Sequence, residues 1–452
     1  MNFRRISPLL AACALLAANA SAAPQAKNII FFLGDGMGPT TITAARIYKG
    51  GEDSLLNFER LERTARIKTY SNDFQTTDSA PSMGAYMTGI KINNDVISMK
   101  DARAIDPSPD GVDRCGSANG AVAPTILELA KARGKAVGAV TTTELTHATP
   151  ASTFSHVCHR DAVYTIAQQI VPGGAGYNPA LGDGVDVLMG GGRNHFTPRG
   201  AGNPQGRPDG RDLMKEFAAQ GYFVANTKAD MLSARPGRKF VGIYSATSHL
   251  DYSLARRPEQ PSLAEMTAKS IDLLSKDPDG FFLMVEGGKI DHALHDTRAK
   301  DALAETVAFD EAIQTALERM RAIDPGLENT LIVVTADHDH TMILGGYPKR
   351  GNPVLDVLRD YASGEPRKDA DGKTFTTLLF GNGPNRPDVR ADVDSKTVMG
   401  PGYLYEAGVR SDWETHGGGD VKLYAVGAGS APFKGTIENT QVFHLMRAAA
   451  GL

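Results

Sequence analysis

No uninterrupted apolar stretch reaches the length of about 18 residues that a membrane-spanning helix requires, so no helical membrane span is expected in this sequence. The run from Ile6 to Ala18 is too short to span. It follows Arg4-Arg5 and precedes the small-residue site Ala20-Ser21-Ala22, the order of a secretory signal peptide over residues 1–22. The mature chain, residues 23–452, is therefore expected to be exported, periplasmic or extracellular. Strong charge of either sign is also missing: the formal net charge is -4, and it becomes -6 when Arg4 and Arg5 leave with the signal. A mildly acidic chain of this length does not suit a polyanion, so nucleic acid is excluded as a partner. Cysteine is scarce, with three in 452 residues. Cys13 lies in the signal, and Cys115 and Cys158 are expected to pair in an oxidising compartment. Internal repeats and low-complexity tracts are absent.

What is present reads as an α/β fold. Asn28 to Leu33, Ala136 to Val140, Gly280 to Val285 and Thr330 to Thr335 are short, almost wholly apolar and bounded by polar or turn residues. That is the pattern of strands buried on both faces. Val185 to Met189, before Gly190-Gly191-Gly192, is a fifth candidate. Leu303, Val307, Ile313, Leu317 and Met320 share one face of a helix, as do Leu263, Met266, Ile271 and Leu274. Alternation of the two element types predicts a mostly parallel central sheet flanked by helices on both faces. From Lys349 to Trp413 the pattern loosens into Pro, Gly and charge, which reads as an insertion at about 349–413, with a possible strand over Phe375 to Phe380.

Three of the strands run into an acid: Gly34-Asp35-Gly36, Glu286-Gly287-Gly288 and Ala336-Asp337-His338. Ligands of open α/β sheets bind beyond the carboxyl ends of strands, so three acids there form a site in outline. Histidines stand close by in sequence. Asp291 and His295 are four apart on one helical face, Asp337 and His338 are adjacent, and His416 lies in Thr415-His416-Gly417-Gly418-Gly419. Carboxylate with imidazole is a ligand set that suits zinc. A solitary histidine is more often a surface or core residue, which is the reading for His195, His249 and His444, while His156 and His159 stay open with that ordinary reading favoured. Ser79, in Thr77-Asp78-Ser79-Ala80-Pro81, falls at or just before a helix start, where backbone N–H groups favour an anion. Local sequence alone makes it a helix cap.

Taken together, Gly34-Asp35-Gly36-Met37-Gly38, Thr77-Asp78-Ser79-Ala80, His147-Ala148-Thr149-Pro150, Val285-Glu286-Gly287, Asp291-His292-x-x-His295, Thr335-Ala336-Asp337-His338 and Thr415-His416 occur in the order found in alkaline phosphatases. The sequence resembles that family from Asn28 almost to Leu452. The resemblance implies phosphate monoester hydrolysis with Ser79 as nucleophile and Arg160 on the phosphate. It implies one zinc on Asp291, His295 and His416 and a second on Asp35, Asp337 and His338. A magnesium would lie on Asp35, Thr149 and Glu286, with His340 orienting a ligand. It also implies a homodimer, broad ester specificity and a single catalytic domain whose 349–413 insertion resembles the family's crown. His147 and His292 are shared with the animal branch, since enteric bacterial enzymes carry Asp and Lys there.

Related two-metal enzymes are the nearest competitors. Sulfatases use a Cys/Ser-x-Pro-x-Arg segment, and Ser79-Ala80-Pro81-Ser82-Met83 lacks the arginine. Diesterases commonly use threonine and lack the phosphoryl-gripping arginine, so Ser79 with Arg160 favours monoesters. The second rival is an exported protein that only binds phosphate or metal, and an intact Ser79 with Arg160 speaks against it.

Overall fold

The structure, a computed structural model, describes residues 25–452. The signal peptide expected over residues 1–22 and Cys13 lie outside the described residues. A ten-stranded sheet organises the chain. Its strands run, edge to edge, Gly435–Glu438, Arg63–Lys68, Val421–Gly427, Thr330–Thr335, Asn28–Gly34, Phe281–Gly287, Ala136–Glu144, Val187–Gly191, Phe240–Ile243 and Phe223–Ala225. Only Val421–Gly427 runs against the others. The expected mostly parallel sheet is thus the observed one.

The central strands form because Ile29 to Leu33, Phe281 to Val285 and Leu331 to Val334 offer apolar side chains to both faces, and all are buried. Helices cover those faces. The Ala299–Ile323 helix packs Phe309 edge-on against Phe32, with ring centroids 5.9 Å apart, and against Phe58. Burying each such ring contributes about 1.5–3 kcal/mol. The Leu263–Leu274 helix starts where its apolar stripe predicts, behind a capping box of Ser262 and Glu265.

Register fixes the functional edge. Leu33 pairs with Thr335 on one neighbour and with Glu286 on the other. Asp35, Glu286 and Asp337 therefore leave three adjacent strands at nearly one level, at the carboxyl end of the sheet. Gly36 makes the first turn possible: its φ is +66°, and a Cβ there would overlap the His340 ring.

Several details differ from expectation. The fifth strand is Val187–Gly191, two residues later than predicted, because the Val185 carbonyl accepts a hydrogen bond from Tyr222 Oη instead of extending the ladder. The strand expected over Phe375 to Phe380 is Leu378–Gly383. It joins Met342–Leu344 and Ala407–Arg410 in a separate three-stranded sheet, so this subsheet takes its first strand from before residue 349. Cys115 and Cys158 are free thiols, which corrects the expected disulfide. The two sulfurs lie within 4.8 Å of each other, with Cys158 Sγ donating to Asp113 Oδ1 at 3.3 Å and Cys115 Sγ to the Asn119 carbonyl at 3.5 Å. Among the described residues no helix is long and apolar enough to cross a membrane.

Candidate active site

Ser79 is the first residue of the Ser79–Thr88 helix, and Asp78 is its cap, accepting from the Ala80 amide through Oδ2 at 3.2 Å. The cap role that local sequence offered to Ser79 thus belongs to its neighbour, and the Ser79 hydroxyl is released toward the strand ends. Ser79 Oγ lies 3.2 Å from His338 Nε2 and 3.5 Å from Asp35 Oδ1. Both partners are fully buried.

Two clusters of ligand atoms flank that hydroxyl. In one, Asp291 Oδ1 is 2.7 Å from His340 Nε2, 3.3 Å from His295 Nε2 and 3.5 Å from His416 Nε2. In the other, Asp35 and His338 meet Asp291, and His338 Nε2 is 3.3 Å from Asp35 Oδ1 and 3.4 Å from Asp337 Oδ2. Asp291 therefore belongs to both, a bridging place that sequence did not reveal. His340 likewise reaches the first cluster directly. Its other nitrogen, Nδ1, faces Glu414 Oε2.

A third group joins Asp35, His147 and Glu286, with Thr149 beside it. Thr141 Oγ1 and Thr143 Oγ1 both donate to Glu286 Oε2, which leaves Oε1 uncommitted. Asp35 Oδ2, Glu286 Oε1, Asp337 Oδ2 and Thr149 Oγ1 are all buried without a hydrogen-bond partner. Unmet buried carboxylate oxygens are rare in native proteins and costly.

The electrostatics point the same way. Burial, then Asp337, Asp291 and Glu286, push the Asp35 carboxyl well above the ordinary carboxylate range. Burial takes Glu286 up to about 7 and also raises Asp337. Asp291 is the exception, since burial is outweighed by His295, His340 and His416, which hold it well below the ordinary value. Burial and then His416 hold His338 well below the ordinary imidazole value. So many acids on one sheet edge, with the neutral His338 imidazole beside them and unclaimed oxygens, form a donor set that fits divalent cations.

Arg160 is held over the start of the serine helix. Its Nη1 donates to Asp78 Oδ1, its Nη2 donates to His147 Nε2 at 3.1 Å, and its backbone amide donates to the Asp95 carbonyl at 2.7 Å. His292 stacks edge-on against His147, with centroids 5.3 Å apart. All the named site residues except the two cysteines converge here. His156 instead pairs with Glu128, and His195 with Thr146 Oγ1 at 2.7 Å. Asp78, Thr141, Thr143, Glu414 and His249 were not identified as site residues from sequence. The run Thr141-Thr142-Thr143 at a strand end was the one signal available for two of them.

The comparisons agree with this geometry. A sequence profile described as "Alkaline phosphatase" matches residues 26–452. The tissue-nonspecific alkaline phosphatase isozyme of Gallus gallus is 36% identical, over 94% of this chain and 84% of its own length. The alkaline phosphatase of Gadus morhua is also 36% identical, over 94% of this chain and 92% of its own. Among solved structures, the alkaline phosphatase of Thermus thermophilus superposes with a TM-score of 0.68 at 26% identity, covering 97% of this chain and 96% of that one. With a serine at a helix start, an arginine beside it and clustered acids and imidazoles at one sheet edge, the chain belongs to the alkaline phosphatase family and is a phosphomonoesterase.

Proposed function

We propose that hydrolysis proceeds through a covalent phosphoserine on Ser79, at a site that holds two zinc ions and one magnesium ion. The observation that carries this reading is the Ser79 hydroxyl, 3.2 Å from His338 Nε2 and next to an arginine whose fork faces the same helix start. Asp291, His295 and His416 would hold one zinc, Asp35, Asp337 and His338 the other, and Asp35, Thr149 and Glu286 the magnesium. When bound, the cations supply Lewis acidity that lowers the cost of charge on the attacking and leaving oxygens.

The chain's own residues do the rest. Ser79 Oγ loses its proton and attacks phosphorus, the P–O bond to the alcohol breaks, and the alcohol takes up a proton. Water then attacks the same phosphorus, the Ser79 Oγ–P bond breaks, and inorganic phosphate leaves with Ser79 reprotonated. Arg160 presents two N–H groups to the non-bridging oxygens, a match of planar fork to phosphoryl group that lysine lacks. His340 steadies Asp291 from one side and is itself steadied by Glu414.

Gripping the phosphoryl group and little else makes broad ester specificity the expected outcome. The N-terminal Arg4-Arg5, the short apolar run and Ala20-Ser21-Ala22 support export, and the family resemblance supports a homodimer and a catalytic domain of residues 23–452 with a crown-like insertion at 349–413. The test is Ser79→Ala. Phosphate release from an aryl phosphate at alkaline pH should vanish, together with the acid-stable phosphoryl label on the protein, while bound metal persists. Full activity in that variant rules out the nucleophile.

A further inference from the structure

Three imidazoles stand together behind Arg160. The His249 ring is 4.3 Å from that of His292 and 5.6 Å from that of His147, and His147 is 5.3 Å from His292, all centroid to centroid and all edge-to-face. Of the three, only His249 is tied to the main chain by its ring. The Glu144 amide donates to His249 Nδ1 at 3.0 Å, so that nitrogen carries a lone pair and the ring cannot turn without losing the bond. His147, by contrast, uses Nε2 to accept from Arg160, and its Nδ1 is buried with no partner. No hydrogen bond holds the His292 ring among the described residues.

The segment that carries His249 is docked on the sheet edge. The Leu250 amide donates to the Thr142 carbonyl at 2.9 Å, and the Gly192 amide donates to the Ser248 carbonyl at 2.8 Å. Gly191 permits this approach, because a Cβ there would overlap the Ser248 carbonyl. Main-chain hydrogen bonds thus hold the residues on either side of His249 to the strand ends, and its ring is the one of the three anchored on an amide.

We propose that His249 is a positioning residue for phosphate recognition. Anchored on the Glu144 amide, it buttresses His147 and His292, so that His147 Nε2 stays aimed at Arg160 Nη2 and the guanidinium keeps its orientation. The chain of support runs from main chain to His249, to His147, to the arginine that meets the phosphoryl group. It rests on the reading of Arg160 given above.

The experiment uses the full-length, metal-loaded enzyme with two probes, inorganic phosphate and an aryl phosphate. His249→Ala should raise both the dissociation constant of phosphate and KM about 10-fold, leave kcat within about 2-fold, and leave the zinc and magnesium count unchanged. In a His147→Ala background the same substitution should add less than about 2-fold, because the two act in series. Should the alanine variant not fold, His249→Leu, which fills the space without an acceptor for the Glu144 amide, makes the same test. Unchanged phosphate affinity overturns the proposal, as does an effect that multiplies with that of His147→Ala or that tracks loss of metal. Arg160→Ala is the separate control: if it leaves the phosphate constant unchanged, the reading of Arg160 fails, whatever His249 does.

Discussion

Replacing Arg160 with alanine is the sharpest test of how the site holds a phosphoryl group. The side chain is 19% exposed and presents Nη1 and Nη2, now on Asp78 and His147, toward the start of the Ser79 helix. Two charge-assisted hydrogen bonds to phosphate are worth about 1.5–3 kcal/mol each, but both donors must first give up protein acceptors. The net loss on truncation is then about 3 kcal/mol, which is about a 100-fold fall in kcat/KM. Arg160→Lys keeps the charge without the planar fork and should recover about half of that free energy. Stability should fall by only about 1 kcal/mol, because Asp78 keeps its helix-cap bond to Ala80 and its freed oxygen can rehydrate. The assay is steady-state hydrolysis of an aryl phosphate at alkaline pH, with inhibition by inorganic phosphate, metal content and Tm measured on each variant. A fall in kcat/KM of less than about 3-fold, with metal retained, refutes the assignment of Arg160 to the phosphoryl group.

Three further outcomes are expected. Chelation should abolish hydrolysis and lower Tm, since Asp35, Glu286 and Asp337 lose their counter-charge; an ion present at 1,000 times its Kd contributes about 4 kcal/mol, and zinc with magnesium should restore both readings. An unchanged Tm after complete metal removal counts against a metal-dependent core. Glu144→Gln should stabilise the protein above neutral pH: burial raises this carboxyl to about 7, so its contribution is present below about 4.5 and is lost as pH rises through about 7, at a cost of up to about 3 kcal/mol. The Tm difference between variant and parent should therefore open between pH 5 and pH 9 and not the reverse. Glu128→Ala should cost about 3 kcal/mol by thermal or urea unfolding, because that carboxylate accepts from His156 Nε2 at 2.7 Å, Asn178 Nδ2 at 2.6 Å and the Thr125 amide at 2.8 Å. Burial opposes ionisation of Glu128, but His156, Thr125 and Asn178 hold its carboxyl below the ordinary value, so this gap should close only as pH falls below about 4.5.

What could be read from sequence follows from where each element sits. Asn28–Gly34, Phe281–Gly287 and Thr330–Thr335 lie at the sheet's centre, buried on both faces, so nothing interrupts their apolar runs. Arg63–Lys68 lies one strand from the edge with Arg63, Thr64, Arg66 and Lys68 exposed, and its sequence carries too little apolar signal to stand out. The acids at strand ends were legible because chain order and sheet position coincide there.

Several pairings within the site were not legible, for a reason that distance along the chain makes plain. Arg160 meets Asp78 across 82 residues, His340 meets Glu414 across 74, and Thr141 meets Glu286 across 145. No spacing rule of a helix or strand reaches so far; only the crossover order of the sheet brings these segments together. His249 is the clearest case. Its sequence context, Thr247-Ser248-His249-Leu250, resembles any polar loop, and a lone histidine there is correctly read as ordinary. What distinguishes it is that the strands Ala136–Glu144, Val187–Gly191 and Phe240–Ile243 lie side by side, so that the loop leaving the third can lay its backbone on the ends of the other two. A residue whose work is to orient another is specified by that adjacency and not by its own neighbours in sequence. The disulfide expectation rested on compartment and count; the fold does bring Cys115 and Cys158 within 4.8 Å of each other beside Asp113, across 43 residues of chain, but as free thiols.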